Sequence, residues 1–297
     1  MSPTRPAPAV VDVVVLTMND RPEQAAALES LLGQEGVELH VVVVGNGVEP
    51  DLVPDGVATL ALPENVGIPE GRNIGAQALA DDGAGEFVFF LDNDAVLPSP
   101  DILSRLVAQA RLHPEAAYVQ PRIADPVTGV TVRRWVPRLR AGDPTRPGTV
   151  AAMAEGVILI RRDAFDHVGG WPGHFFLYHE GFDLALRIWD AGLTGWYAPE
   201  VIVHHPASDP ARHALYQRLV ARNRVWVAYR RLPAPLVPVY ITMWVIITAL
   251  RSRRSPRTLA PWFAGLWEGL RGGHGERRPI SWATAWRLTR AGRPPVI

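Results

Sequence analysis

Apolar, largely β-branched runs alternate with helix-forming segments from Val10 to Leu112, and that alternation leaves few folds open. Val10–Leu16 and Leu39–Val44 are continuous apolar runs, the mark of strands buried on both faces. Thr59–Leu62 and Phe87–Leu91 read as a third and a fourth strand. Between them, Pro22–Leu32 is a helix announced by the capping residues Asn19 and Asp20 and by Pro22 in its first turn. Gly71–Leu79 and Ile102–Leu112 are further helices. Such an alternation predicts an α/β fold, a parallel sheet with helices on both faces. Ligands of these sheets bind outside the carboxyl ends of the strands. Four exits are therefore the places to look: Thr17–Met18–Asn19, Gly45–Asn46–Gly47, Pro63–Arg72 and Asp92–Asn93–Asp94. Beyond them, Val127–Thr149 reads as an excursion loop. Regular structure is expected again as a strand at Gly156–Ile160, helices near Asp163–Val168 and Asp183–Ala191, and a strand at Val201–Val203.

Composition narrows the chemistry. The 297 residues hold no cysteine and no lysine, which excludes zinc ribbons, thiolate nucleophiles, Schiff-base lysines and Walker-type phosphate loops. The formal charge of zero conceals an asymmetry. From Pro210 to Ile297 there are sixteen arginines against Glu268 and Glu276, a net of +14, so Met1–Asp209 carries −14. A basic tail on an acidic body points to an anionic partner such as a membrane surface, or simply to a solvated basic face. Within the tail, Leu232–Leu250 is uncharged for nineteen residues, but Pro233, Pro235 and Pro238 leave only Val239–Leu250 as unbroken helix. That is short for a bilayer and reads as an interfacial segment flanked by arginines, or as a buried core or homodimer helix. The first residues, with Arg5 and three prolines before Val10, lack the apolar stretch of a signal peptide. A cytoplasmic protein, peripheral on the inner face of the plasma membrane, is expected.

Asp92-Asn93-Asp94 follows the aromatic strand directly, where two carboxylates can reach one divalent cation, although Asp and Asn also make ordinary turns and caps. The loop Glu64–Asn73 opens onto a helix whose amides, with Arg72, suit a diphosphate; it can equally be a plain β–α turn. Gly45-Asn46-Gly47 is either a turn or an approach to a base or ribose. Glu180 and Asp183, three apart before an amphipathic helix, are a capping pair or a general base at a helix start. His204-His205 follows a strand, as a surface pair or as ligands.

In order along the chain, these residues resemble family 2 glycosyltransferases of the GT-A fold. The similarity runs from about Val11 to His205. It takes in Thr17–Asn19, the Asn46 turn, Asn65–Gly67, Arg72–Asn73, Asp92 and Asp94, Gly169-Gly170-Trp171, Glu180…Asp183…Arg187, Gly192 and His204. The resemblance implies a Rossmann-like, mostly parallel sheet flanked by helices. A nucleotide-sugar half would occupy about residues 10–120 and an acceptor half about 121–209, with a helical, Arg-rich extension over 210–297. It implies an inverting transfer from a nucleotide-sugar donor to a saccharide, lipid-linked or small-molecule acceptor, with Mg²⁺ or Mn²⁺ as cofactor. Thr17, Asn19, Asn46, Asn65, Gly67, Arg72, Asn73 and Asp92 would then contact the donor. Asp94 would be on the metal, Asp92 near the ribose or the metal, and His204 would complete the metal's shell. Trp135, Trp171 and His174 either line an acceptor pocket or belong to the core.

Two positions depart from the family's pattern. Gly45 stands where a base-contacting Asp is usual, and Gly181 stands where the catalytic base is usual. Glu180 is the nearest substitute base and Asp183 the next. A non-catalytic nucleotide-sugar binding or scaffold protein is the competing reading. A sugar nucleotidyltransferase is a weaker competitor, because it would need lysines. Nucleic-acid binding has no reading motif to support it.

Overall fold

The computed structural model describes residues 7–18, 22–139, 142–207 and 215–297. Strand β1 (Ala9–Thr17) leads into helix α1 (Pro22–Leu32) and strand β2 (Val37–Asn46), then β3 (Ala58–Leu62), α2 (Ile68–Asp81), β4 (Phe87–Asp92) and α3 (Ile102–Leu112). Strand β1 pairs in parallel with both β2 and β4, and β2 with β3. The register sets Thr17 beside Gly45 and Leu16 beside Asp92, so three of the expected exits lie along one edge.

Alternation along β1 explains its unbroken apolar run. Val11, Val13 and Val15 face one core with α1 and α3, whereas Val14 faces a second with Ala76 and Leu79 of α2. At about 25 cal/mol per Å² of apolar surface, burial on both faces makes the strand a major contributor to stability.

After α3 the chain departs from the expected pattern. Residues Ala116–Ala124 form a strand, β5, that the sequence reading missed because Gln120, Pro121 and Arg122 break the apolar run. Its register against the neighbouring strand slips at Pro121/Arg122, where proline has no N–H to donate to a ladder. The excursion loop holds a 3-10 turn at Arg133–Trp135 and a short edge strand, β6 (Gly148–Val150). Strand β7 (Val157–Arg161) then runs antiparallel to both β4 and β5. Helices α4 (Arg162–His167) and α5 (Glu180–Asp190) precede β8 (Thr194–His204), which is parallel to β5. The eight-stranded sheet has the order β3-β2-β1-β4-β7-β5-β8-β6. It is mostly parallel, as expected, with β7 and β6 as its antiparallel members.

Because β7 is antiparallel, its beginning lies against the end of β4, with Leu91 opposite Val157. The Asp92 N–H donates to the Gly156 carbonyl at 2.8 Å. Residues just before β7 are thereby brought to the edge where β1, β2 and β4 end.

Helices α6 (Tyr216–Arg231), α7 (Leu236–Ser252), α8 (Pro256–Arg271) and α9 (Trp282–Arg290) complete the chain. A third core joins Phe182, Leu186 and Trp189 of α5 to Trp226, Val227, Leu232, Tyr240, Ala285 and Leu288 of this region. The uncharged run divides in two. Leu232 and Tyr240 are buried, and Trp244 lies under the Arg224 guanidinium at 3.3 Å. Val239, Ile246 and Leu250 are exposed. Among the described residues, no helix is long and apolar enough to cross a membrane.

Candidate active site

Asp92 ends β4 with its two carboxylate oxygens divided between partners. Oδ1 accepts from Arg72 at 2.7 Å, and Oδ2 lies 3.3 Å from His205 Nε2. Asp94 Oδ1 is 3.2 Å from the same imidazole nitrogen. Burial works to raise the Asp92 carboxyl, but the His205 hydrogen bond and the charge of Arg72 hold it below its ordinary value. Burial opposes a charge on His205, yet the Asp92 hydrogen bond and the charges of Asp92 and Asp94 raise it above the usual imidazole range. The other ring nitrogen, Nδ1, lies 2.9 Å from the Pro206 carbonyl. That bond orients the ring with Nε2 toward the carboxylates, as a metal-binding histidine requires.

One oxygen each from Asp92 and Asp94 and one nitrogen of His205 lie within 4.8 Å of one another. Two hard oxygens and an imidazole fit Mg²⁺ or Mn²⁺. The histidine here is His205, not the expected His204. Both backbone groups of His204 are engaged with Val96, at 2.8 and 2.9 Å, and strand alternation sends the two side chains to opposite faces.

Thr17, fully buried, accepts from Asn93 Nδ2 at 3.2 Å, which ties β1's exit to the Asp92–Asp94 turn. Asn19 lies outside the described residues. The other expected donor-contacting residues are also tied into the fold. Buried Asn46 donates to Asn65 Oδ1 and to the Gly67 carbonyl, and accepts from Val66 N. Asn65 Oδ1 also accepts from Gly67 N, and Ile68 N donates to the Phe176 carbonyl at 2.8 Å. The amides of Val66, Gly67, Ile68 and Gly71 are thus already bonded within the protein. Arg72 is buried between Phe90 and Trp171 and turned to Asp92. Arg72 thus clamps Asp92 from within the protein. Asn73 donates to Trp171 O and accepts from Trp171 N, which fixes the Gly169–Trp171 loop. Trp171 itself is core. Trp135 is buried with its ring 5.5 Å from His205, and His174 meets Arg230 and Trp226.

Of the two expected bases, Asp183 is committed elsewhere. It is fully buried and bonded to Arg187 at 2.8 Å and to Arg231 at 2.7 and 3.2 Å, with Arg230 at 3.4 Å. Burial opposes its charge, but the arginines hold the carboxyl down at about 2. Glu180 is 2% exposed and its Oε2 has no hydrogen-bond partner. Burial raises it to about 6, with the nearby Asp92 charge adding to the effect. Sequence reasoning missed a third acid, Glu155. Its Oε1 accepts from Gly181 N at 2.7 Å, and burial followed by the Glu180 charge raises its carboxyl well above the usual range. Its one signal in the sequence is an isolated acid in the otherwise small and apolar stretch Ala151–Gly156.

A mixed α/β sheet with a carboxylate-and-imidazole cluster at one strand end, and buried acids beside it, is the architecture that the resemblance to GT-A glycosyltransferases implies. The profile of "Glycosyl transferase family group 2" matches residues 87–270, and the chain belongs to that family. The match extends through α6, α7 and most of α8, beyond the point where the sequence resemblance fades. The N-acetylglucosaminyl-diphospho-decaprenol L-rhamnosyltransferase of Mycobacterium tuberculosis is 28% identical over 249 residues, covering 69% of this chain and 80% of that protein. Among solved structures, GalNAc-T7 with UDP, GalNAc and Mn²⁺ superposes with a TM-score of 0.63 at 16% identity, over 98% of this chain and 59% of that one. The chain thus spans less than two thirds of that neighbour. The mannosyltransferase PcManGT of Pyrobaculum calidifontis, with GDP-Man and Mn²⁺, gives 0.54 at 18% identity, over 95% and 79%. At these identities both neighbours speak to the fold. Membership of a glycosyltransferase family decides against the nucleotidyltransferase reading.

Proposed function

We propose that the protein moves a sugar, with inversion, from a nucleoside-diphosphate donor to a hydroxyl of a polyprenyl-diphosphate-linked saccharide in cell-wall glycan assembly. The cluster of Asp92, Asp94 and His205 at the end of β4 carries this reading. These three residues would hold Mg²⁺ or Mn²⁺, which when bound offsets the negative charge of the departing nucleoside diphosphate. Asn93 keeps the carboxylate turn in register by bonding Thr17 and Gln24. Arg72 holds Asp92 in place from the buried side and leaves Oδ2 facing His205. The buried acids beside the start of α5, Glu155 and Glu180, are the candidates to accept the proton of the incoming hydroxyl.

The lipid-linked acceptor rests on the mycobacterial relative's substrate and on the character of α7, α8 and α9. Trp267, Trp282 and Trp286 are exposed there among arginines, a composition suited to an anionic bilayer surface. Residues 10–120 would form the donor half, 121–209 the acceptor half and 210–297 the membrane-facing extension.

The test is product formation. Purified protein is given Mn²⁺, N-acetylglucosaminyl-diphospho-polyprenol in detergent, and UDP-, dTDP- and GDP-sugars in turn. Metal-dependent transfer from one donor, lost on chelation and in Asp94→Ala, is expected. Donor binding without transfer to any acceptor would favour the non-catalytic binding reading instead, which Gly181 motivates.

A further inference from the structure

Gly181 leaves the first turn of α5 without a side chain at the place where the resemblance puts the base. That space is filled from another element. A Cβ built at position 181 would lie 2.5 Å from both Glu155 Cγ and Glu155 Oε1, and 2.8 Å from Met153 Cγ. A side chain at 181 and the present Glu155 side chain therefore exclude each other. The carboxylate arrives from the approach to β7 and not from α5, and it is fixed there by the Gly181 N–H at 2.7 Å. Gly156, the next residue, lies directly against Asp92: a Cβ at 156 would overlap Asp92 Oδ2, and the Gly156 carbonyl accepts the Asp92 N–H. Glu155 is thus seated between the metal-site strand and the start of α5, and it is only partly buried.

We propose that Glu155 is the catalytic base of the glycosyl transfer, taking from β7's approach the place that Gly181 vacates on α5. This assignment rests on the transfer reading above. As the acceptor oxygen bonds the anomeric carbon, its proton passes to the Glu155 carboxylate. The bond from the anomeric carbon to the diphosphate oxygen breaks, and its electron pair leaves with the nucleoside diphosphate. Atoms and charge balance without a further reactant. Exposure favours Glu155 over Glu180. Glu180 is 2% exposed, whereas Glu155 is only partly buried as a residue.

The assay above, run with wild type, E155Q, E180Q, E155G and E155G/G181D, tests the assignment. Glutamine at 155 keeps an oxygen to accept the Gly181 N–H, so the helix start and the melting temperature should hold. Metal-dependent binding of the nucleoside diphosphate should also be unchanged. Transfer by E155Q should fall roughly 10²- to 10⁴-fold in kcat with little change in the donor KM. E155G should be equally inactive, and adding G181D should restore transfer to within about tenfold of wild type, because the two acids serve one position. E155Q turning over like wild type while E180Q is dead would overturn the assignment in favour of Glu180. A wild-type enzyme that transfers from no donor would overturn the transfer reading itself, and the base with it.

Discussion

His204 and His205 are neighbours in sequence with different fates, because strand alternation points one ring at Asp92 and Asp94 and the other away. His205→Ala should therefore abolish metal-dependent donor binding, and His204→Ala should leave it within about threefold, read by calorimetry with a nucleoside diphosphate and Mn²⁺. Glu180 makes a second claim at this scale. Its folded carboxyl is raised to about 6 from an ordinary value near 4.5. As pH rises past the ordinary value, the unfolded chain loses the proton first, so the cost to folding grows up to about pH 6 and then stays constant. At pH 8 the penalty is on the order of 2 kcal/mol. Glu180→Gln should be the more stable protein at pH 8, with the difference vanishing below about pH 4.5, as measured by urea denaturation at the two pH values. The carboxylate turn and Glu180 were legible in the sequence because short motifs at strand exits and helix starts expose them. Glu155 was not. It stands before a strand, and only the antiparallel course of β7 brings that strand's beginning to the site.

Helix α5, which the proposed base faces, has a strained start. Phe176, Tyr178 and His179 all have positive φ, at 67°, 71° and 68°, a region that residues with side chains rarely adopt. Asn223 of α6 offsets the strain by donating to the carbonyls of Phe175, Leu177 and Tyr178, at 3.2, 2.7 and 2.8 Å. Asn223→Ala leaves three carbonyls without that donor. It should cost about 1–3 kcal/mol and lower kcat more than it raises the donor KM, because the proposed donor site lies on β4. Asp183 fixes the same helix through Arg187, Arg230 and Arg231. Asp183→Asn removes one side of a buried ion network and should cost about 3–5 kcal/mol at neutral pH. The native carboxyl titrates at about 2, below its unfolded value. The part tied to its charge is therefore complete above about pH 4 and is lost as pH falls toward 2, so the gap between the two proteins should narrow by about 2 kcal/mol in acid melts. The pairing of Asp183 with distant arginines left no mark in the local sequence, where three-residue spacing suggests only a cap or a base.

Across the whole molecule, the strands and helices from Val10 to Leu112 were legible because burial on both sheet faces writes an unbroken apolar signature. Strand β5 was hidden, since Pro121 and its polar neighbours sit inside a strand whose ladder slips at that point. The C-terminal helices also have a role that charge counting did not reveal: they close the third core over α5 and supply the arginines of Asp183. A chain ending at residue 207 should accordingly lack a cooperative melt by circular dichroism, whereas the full chain should show one.

The central claim is that Asp92, Asp94 and His205 join a divalent cation to a nucleotide-sugar donor. Its most direct measurement is titration of UDP, dTDP and GDP into the full-length protein by calorimetry, with Mn²⁺ and with excess chelator, repeated for Asp94→Ala and His205→Ala. The account predicts binding of one nucleotide that requires Mn²⁺ and weakens at least tenfold in both variants. Binding of equal strength in chelator, or in both variants, would contradict it.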